Sequence, residues 1–151
     1  QDLINAAKSF CPKDNRSMWI TFENKKVFLD AYNANPDSMK AAVTGFLEYL
    51  ETAKIDLSDA LFILGDMNEL GDMAPTFHRD IGKLLKEQKV IDPVFVGRYA
   101  HEYQLGFEEK SLECENMNKF KQDKWANRLA NSKVVFLKGS RSVELEKLVG
   151  Y

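Results

Sequence analysis

Cysteine is scarce in this chain of 151 residues: Cys11 and Cys114 stand far apart, neither with a CxxC companion. A disulfide framework is therefore not expected, and a reducing cytosol is the simpler setting. Histidine is as rare, with only His78 and His101 and neither in a ligand cluster, so no metal site is expected. No apolar run approaches the roughly 20 residues that cross a bilayer, and the amino terminus carries no secretion signal. Lys and Arg number 21 against 23 Asp and Glu, a net charge of -2, with no basic stripe. That balance argues against a nucleic-acid or anionic membrane partner. Two nucleotide signatures are also missing. Neither GxxxxGK[ST] nor GxGxxG occurs, so a triphosphate would find no cradle of its own here. The expectation is a soluble cytoplasmic protein with no membrane insertion.

What is present is apolar material, 44% of the residues, enough for one well-packed core. The hydrophobic period switches repeatedly between two and 3.6. Met18 to Phe22 and Lys26 to Leu29, separated by Glu23-Asn24-Lys25, predict a β-hairpin whose second strand leads inward. After Pro36, the residues Met39, Val43, Phe46, Leu47 and Leu50 share one helical face, with Asp37 or Ser38 placed as cap. Leu61 to Leu64 is a continuous apolar run that suits a buried parallel strand, and Phe77, Ile81, Leu84 and Leu85 mark the next helix. Pro93 to Val96 and Val134 to Leu137 predict two more strands, with a short final helix after Lys138-Gly139-Ser140. A strand near Leu112 and a helix around Phe120 to Leu129 fill the interval. Alternating strands and helices predict an α/β fold: a doubly wound, mostly parallel sheet flanked by helices, with a β-hairpin entry.

In such a sheet the working groups collect beyond the carboxyl ends of the strands. The unusual polar residues fall there: Asp30 to Asn35, Gly65 to Gly71, Gly97-Arg98 and Lys138 to Ser142. Each admits a plain structural reading. Asp30 could accept from loop amides or cap a helix; Tyr32, Asn33 and Asn35 could be turn residues. Arg16 could be a solvated charge, and Ser140 or Ser142 a helix cap. Asp66 and Glu69 share a glycine-bounded loop, which suits a turn better than a metal or acid-base pair.

Three runs taken together carry a resemblance. Asp30-Ala31-Tyr32-Asn33-Ala34-Asn35-Pro36-Asp37-Ser38-Met39, Gly65-Asp66-Met67-Asn68-Glu69-Leu70-Gly71 and Lys138-Gly139-Ser140-Arg141-Ser142, with Asn15-Arg16-Ser17 before them, resemble the successive signatures of the Mur ligase carboxy-terminal domain, in the D-alanyl-D-alanine-adding branch. Ala31 departs from the Ser that many members carry, which removes one hydroxyl. The resemblance runs from about Asp14 onward. It implies that residues 15–151 form that domain and that 1–14, which open on Gln1 rather than Met, are the tail of a central ATPase domain.

The family's reaction, by this resemblance, uses ATP to phosphorylate the terminal carboxyl of a UDP-N-acetylmuramoyl-tripeptide, after which the amine of D-alanyl-D-alanine attacks the acyl phosphate. Arg16 would reach the ATP phosphates on closure and serve catalysis. Asp30 would bind the ATP ribose, with Tyr32, Asn33 and Asn35 on the nucleotide side of the cleft. Ser140 and Arg141, at the start of the expected last helix, would receive the dipeptide carboxylate. Mg2+ and the phosphate loop would be held by the central domain, and the isolated fragment would lack activity. The alternatives are another Mur branch, a phospho-accepting receiver-like module with Asp66 as acceptor, and a non-catalytic interaction domain. The receiver lacks the acidic pair expected beside its acceptor.

Overall fold

The computed structural model describes residues 16–119 and 122–151. The tail expected at 1–14, with Asn15 and Cys11, lies outside the described residues, as does Phe120 at the start of the helix expected around Phe120 to Leu129.

The strands are β1 (Met18–Phe22), β2 (Lys25–Asp30), β3 (Ala60–Gly65), β4 (Val94–Val96), β5 (Leu112–Cys114) and β6 (Val134–Lys138). The helices are α1 (Pro36–Ala53), α2 (Ala74–Glu87), α3 (Ala100–Phe107) and α4 (Gln122–Ala130). The sheet runs in the order β1-β2-β6-β3-β4-β5, with β1 antiparallel to β2 and every other pair parallel. The expected hairpin forms, with a tighter turn than its sequence suggested. Lys25 already pairs with Phe22, and Glu23 and Asn24 both take left-handed backbone at φ 46° and 64°. A two-residue turn of that kind matches the twist of the strands it joins.

Strand alternation builds two apolar layers. Ala60, Phe62 and Leu64 of β3, Val134 and Phe136 of β6 and Phe95 of β4 face α1, α2 and α3, meeting Met39, Val43, Phe46, Leu50, Ile81, Leu85, Tyr103 and Phe107. Leu61 and Ile63, Val135 and Leu137, and Val94 and Val96 face the other way, onto Leu129 of α4 and Val143, Leu145 and Val149 of the carboxy-terminal segment. The sheet is thus covered on both faces. On the first face the aromatic rings interlock, Phe46 lying 5.2 Å from Phe62 and 5.1 Å from Phe136, and Phe28 stacking on Phe136 at 5.6 Å.

Three local expectations change. The cap of α1 is Asn35 rather than Asp37 or Ser38: its side chain accepts from the Ser38 amide at 2.8 Å, and the Ser38 hydroxyl, at the third helical position, accepts from the Asn35 amide at 3.1 Å. Asn35 wins because Pro36 takes the first helical position, where its missing N–H costs nothing. The final helix is not α-helical. Arg141–Val143 and Leu145–Val149 are two 3-10 turns broken at Glu144, whose φ of 59° lets Val143 and Leu145 both point into the second core. A further helix, α3, stands where none is expected, and Gly106 is the reason it packs as it does: a Cβ there would land on the Arg79 backbone of α2. On the facing side, a Cβ at Gly82 would lie 2.8 Å from the Phe107 amide and closer still to the Tyr103 carbonyl.

The two helices therefore touch backbone to backbone at Gly82 and Gly106. Overpacking a dense contact typically costs about 1 to 3 kcal/mol, and more where backbone must move. Gly82→Ala is expected to destabilise the domain by at least about 2 kcal/mol in urea unfolding, whereas Gly45→Ala, at a position with nothing within 4 Å, should be neutral or stabilising. Equal midpoints for the two variants would show that α2 and α3 are free to move apart.

Candidate functional site at the carboxyl ends of the strands

Asp30 and Lys138 end neighbouring parallel strands and are Cα partners in register. Both share strand parity with Phe28 and Phe136, so they rise on the α1 face, beside that helix's start. The Lys138 ammonium donates to Asp30 Oδ2 at 2.6 Å and to the Asn33 carbonyl at 3.2 Å. Ser17 Oγ donates to the same Oδ2 at 3.3 Å. Arg16, Ser17, Asp30, Tyr32, Asn33, Asn35, Ser38 and Lys138 line a cleft of about 280 Å³. Over Tyr32 two guanidiniums gather, Arg16 at 3.9 Å and Arg141 at 5.6 Å from the ring centroid. Such cation–π contacts orient each permanently charged fork against the ring.

The expected nucleotide-side residues thus share one cleft: Arg16, Asp30, Tyr32, Asn33 and Asn35. Asn35 spends its side-chain oxygen on the helix cap and Asn33 is held through its carbonyl. Lys138 was not singled out as a site residue. The signal was available, since a lysine closing the run Val134-Val135-Phe136-Leu137 is an ionisable group at the end of a buried strand.

Ser140 and Arg141 differ from expectation in what they offer. With no α-helix after them there is no helix-end dipole. The amides of Gly139, Ser140 and Arg141 donate to the carbonyls of Asp30, Asp66 and Tyr32 at 3.2, 2.8 and 3.2 Å. Ser140 is buried, its hydroxyl accepting from the Asn68 amide at 3.0 Å, while Asn68 Nδ2 donates to Ser142 Oγ at 2.9 Å. Those backbone donors are committed to tying three strand ends together, and the exposed Arg141 guanidinium is what remains for an anion.

The Gly65–Gly71 loop is a second polar centre. Asp66 accepts from the Arg98 and Tyr99 amides at 2.8 and 2.9 Å, which occupies one donor per oxygen. Gly97 permits this, with φ 129° and no room for a Cβ against that carboxylate. Among the described residues no three His, Cys, Asp or Glu side chains converge as metal ligands. Beside this loop lies a cleft of about 590 Å³ bordered by Asn68, Glu69, Arg98, Tyr99 and Ser142. Beneath it His78 is fully buried, stacked 4.5 Å from the Tyr99 ring. Its Nε2 accepts from the Met67 amide at 3.0 Å and its Nδ1 lies 2.6 Å from the Ala74 carbonyl, which requires the neutral ring protonated at Nδ1. Tyr103 donates its hydroxyl to the Gly65 carbonyl at 2.7 Å, and burial holds its acidity well below that of a free tyrosine.

Fold and site define a doubly wound α/β domain with a charged cleft at its strand ends and no phosphate loop. Residues 15–141 match the model of the Mur ligase, glutamate ligase domain. The chain belongs to the Mur ligase family, within that family's carboxy-terminal domain. It is 34% identical over 129 residues to the UDP-N-acetylmuramoyl-tripeptide--D-alanyl-D-alanine ligase of Bacillus subtilis, covering 80% of this chain and 26% of the relative. The ligase of the same name from Rickettsia prowazekii is 31% identical over 137 residues, 90% of this chain and 29% of that protein. A crystal structure of MurF from Acinetobacter baumannii superposes with TM-score 0.72 at 26% identity, over 97% of this chain and 31% of that one. MurF from Thermotoga maritima, solved in complex with ADP, shares the fold at TM-score 0.64 and 22% identity, over 93% of this chain and 30% of that one. The chain thus spans about a quarter to a third of the length of the relatives it matches. No helix among the described residues is long and apolar enough to cross a membrane.

Burial pushes the His78 pKa below 6.5, against the Ala74 carbonyl and the charges of Asp66 and Glu102, which oppose it. The unfolded chain then binds a proton that the folded one refuses. Stability is full above about pH 6.5 and falls as pH drops below it, with a slope of at most about 1.4 kcal/mol per unit. Urea unfolding of the domain at pH 7.5 and 5.5 is expected to show a larger loss for wild type than for His78→Gln. Parallel losses would mean that His78 is protonated in the fold.

Proposed function

We propose that this chain is the closing domain of a cytoplasmic ligase that joins D-alanyl-D-alanine to UDP-N-acetylmuramoyl-tripeptide with ATP. It works with a central ATPase domain of the same protein. The observation that carries the reading is the cluster of Asp30, Lys138, Arg16, Tyr32 and Arg141 at one strand-end cleft, in a chain of this family.

The cleft suits a nucleotide. Asp30 Oδ2 is taken by Lys138 and Ser17, while Oδ1 has no hydrogen-bond donor among the described residues. A ribose hydroxyl supplies one, and Tyr32 and Asn33 border the same space. ATP, when bound, supplies the phosphoryl group that activates the tripeptide's terminal carboxyl. Arg16 follows the negative charge that grows on the phosphates, an interaction stronger in the transition state than before it. Arg141 binds the carboxylate of D-alanyl-D-alanine with its fork, and Ser140 supports it by fixing Asn68 and the end of β6. Domain closure excludes water from the activated carboxyl. Magnesium does not fit these residues, and its ligands and the phosphate loop belong to the central domain.

The full-length ligase tests this division. Asp30→Asn is expected to raise the Michaelis constant for ATP with little change in turnover, and Arg16→Ala to lower turnover. Arg141→Ala should raise the dipeptide's Michaelis constant about tenfold or more, since a charge-assisted pair is worth roughly 1.5 to 3 kcal/mol. Arg141→Lys should recover only part of it. A dipeptide constant within about twofold of wild type in both Arg141 variants would leave Arg141 as a partner of Tyr32 alone. The isolated domain should not turn over ATP, because positioning and electrostatic stabilisation account for most of phosphoryl-transfer catalysis and the proposed phosphate loop and metal lie in the central domain; turnover by the purified domain would refute the division of labour.

A further inference from the structure

Lys138 is 1% exposed, yet it closes a strand of four buried apolar residues. A packing requirement alone would be met as well or better by an apolar side chain, because a buried ion pair often gains no net stability over well-packed hydrophobic residues. Its contacts point to a different duty. The ammonium and the Ser17 hydroxyl converge on one oxygen of Asp30, Oδ2, and leave Oδ1 without a donor among the described residues. The same ammonium reaches the Asn33 carbonyl at 3.2 Å, so it also ties the carboxylate to the loop that enters α1. Register fixes the geometry, since Asp30 and Lys138 are partners across a parallel pair and Gly139 donates to the Asp30 carbonyl at 3.2 Å.

We infer that Lys138 is a positioning residue for Asp30: it grips one carboxylate oxygen from the buried side so that the other faces the cleft in a single orientation, ready to accept from a sugar hydroxyl. This rests on the nucleotide reading above. A carboxylate held in this way loses little freedom when the hydroxyl arrives, and that is where preorganisation gains affinity. Lys138 itself acts through Asp30 and needs no contact with the nucleotide.

A double-mutant cycle in the full-length ligase separates the two claims, with ATP and the dipeptide varied in turn. Asp30→Asn and Lys138→Met are each expected to raise the ATP Michaelis constant by about tenfold, and the double variant by no more than about twofold beyond the larger single effect, the mark of residues that act as one unit. Turnover and the dipeptide constant should stay within about threefold of wild type. Lys138→Arg keeps the charge beside Asp30 and provides a second reading where the methionine variant folds poorly; it should raise the ATP constant by a smaller factor than Asp30→Asn does. If Asp30→Asn raises the ATP constant while both Lys138 variants leave it unchanged, or if the two effects multiply independently, the positioning role is wrong and the nucleotide reading stands. If Asp30→Asn itself leaves the ATP constant unchanged, the nucleotide reading falls and the positioning role with it.

Discussion

The cleft depends on one pairing: β2 and β6, more than a hundred residues apart in sequence, lie side by side in parallel register, Asp30 against Lys138. Parallel strands need long crossovers, and here the whole of α1, β3, α2, β4, α3, β5 and α4 intervenes before β6 returns between β2 and β3. That return reverses the direction in which strands are added and comes by way of α4, whose Leu129 packs on the opposite face from α1, α2 and α3. A crevice opens where such a reversal occurs, because the loops on either side leave in different directions. Asp30, Lys138 and the Gly65–Gly71 loop meet at that point because the topology leaves them nowhere else to end.

The ends of those strands are then fastened by backbone. Gly139, Ser140 and Arg141 give their amides to Asp30, Asp66 and Tyr32 in turn, so a single short segment stitches β2, β6 and β3 together. Asp66, by accepting from Arg98 and Tyr99, extends the stitching to β4. His78 and Tyr103 complete it from below, each bonding to the backbone of the loop that starts at Gly65. A loop satisfied in this way has few donors left for a ligand, so its exposed side chains, Arg141 above all, are what can recognise one.

Much of this was legible in the sequence. Continuous apolar runs marked β3 and β6, the 3.6-residue period marked α1 and α2, and the polar residues after each strand marked the cleft. What escaped shows where local rules end. Eight residues of α3 carry no strong period, and Gly106 lowers their helix propensity; only the close approach of α2 at Arg79 explains that glycine. The carboxy-terminal segment reads as a helix until two apolar anchors on either side of Glu144 must both turn inward, which a continuous helix cannot do. Asn35 takes the cap from Asp37 and Ser38 because Pro36 occupies the first helical position. Lys138 is visible in the sequence as an ionisable group ending a buried strand, but its pairing is not: Asp30 lies 108 residues away, and register between distant strands is not written in either one.

The distribution of charge around Tyr32 gives the proposed domain closure a physical basis. Arg16 precedes the first strand and Arg141 follows the last, and both lie over the same ring. Each guanidinium gains from an anion that neutralises it, and the gain grows as water leaves, because the local dielectric falls. On the proposed reading, a domain carrying those cations has its strongest electrostatic reason to close when anions are presented from outside, a phosphate to Arg16 and a carboxylate to Arg141. Asp30 works in the opposite sense: already paired with Lys138, it adds no unbalanced negative charge to the space that the phosphate would enter. Pairing the one acidic residue and leaving the arginines against an aromatic face makes the cleft electropositive within a chain whose net charge is -2, which is the polarity that the proposed anionic substrates would meet.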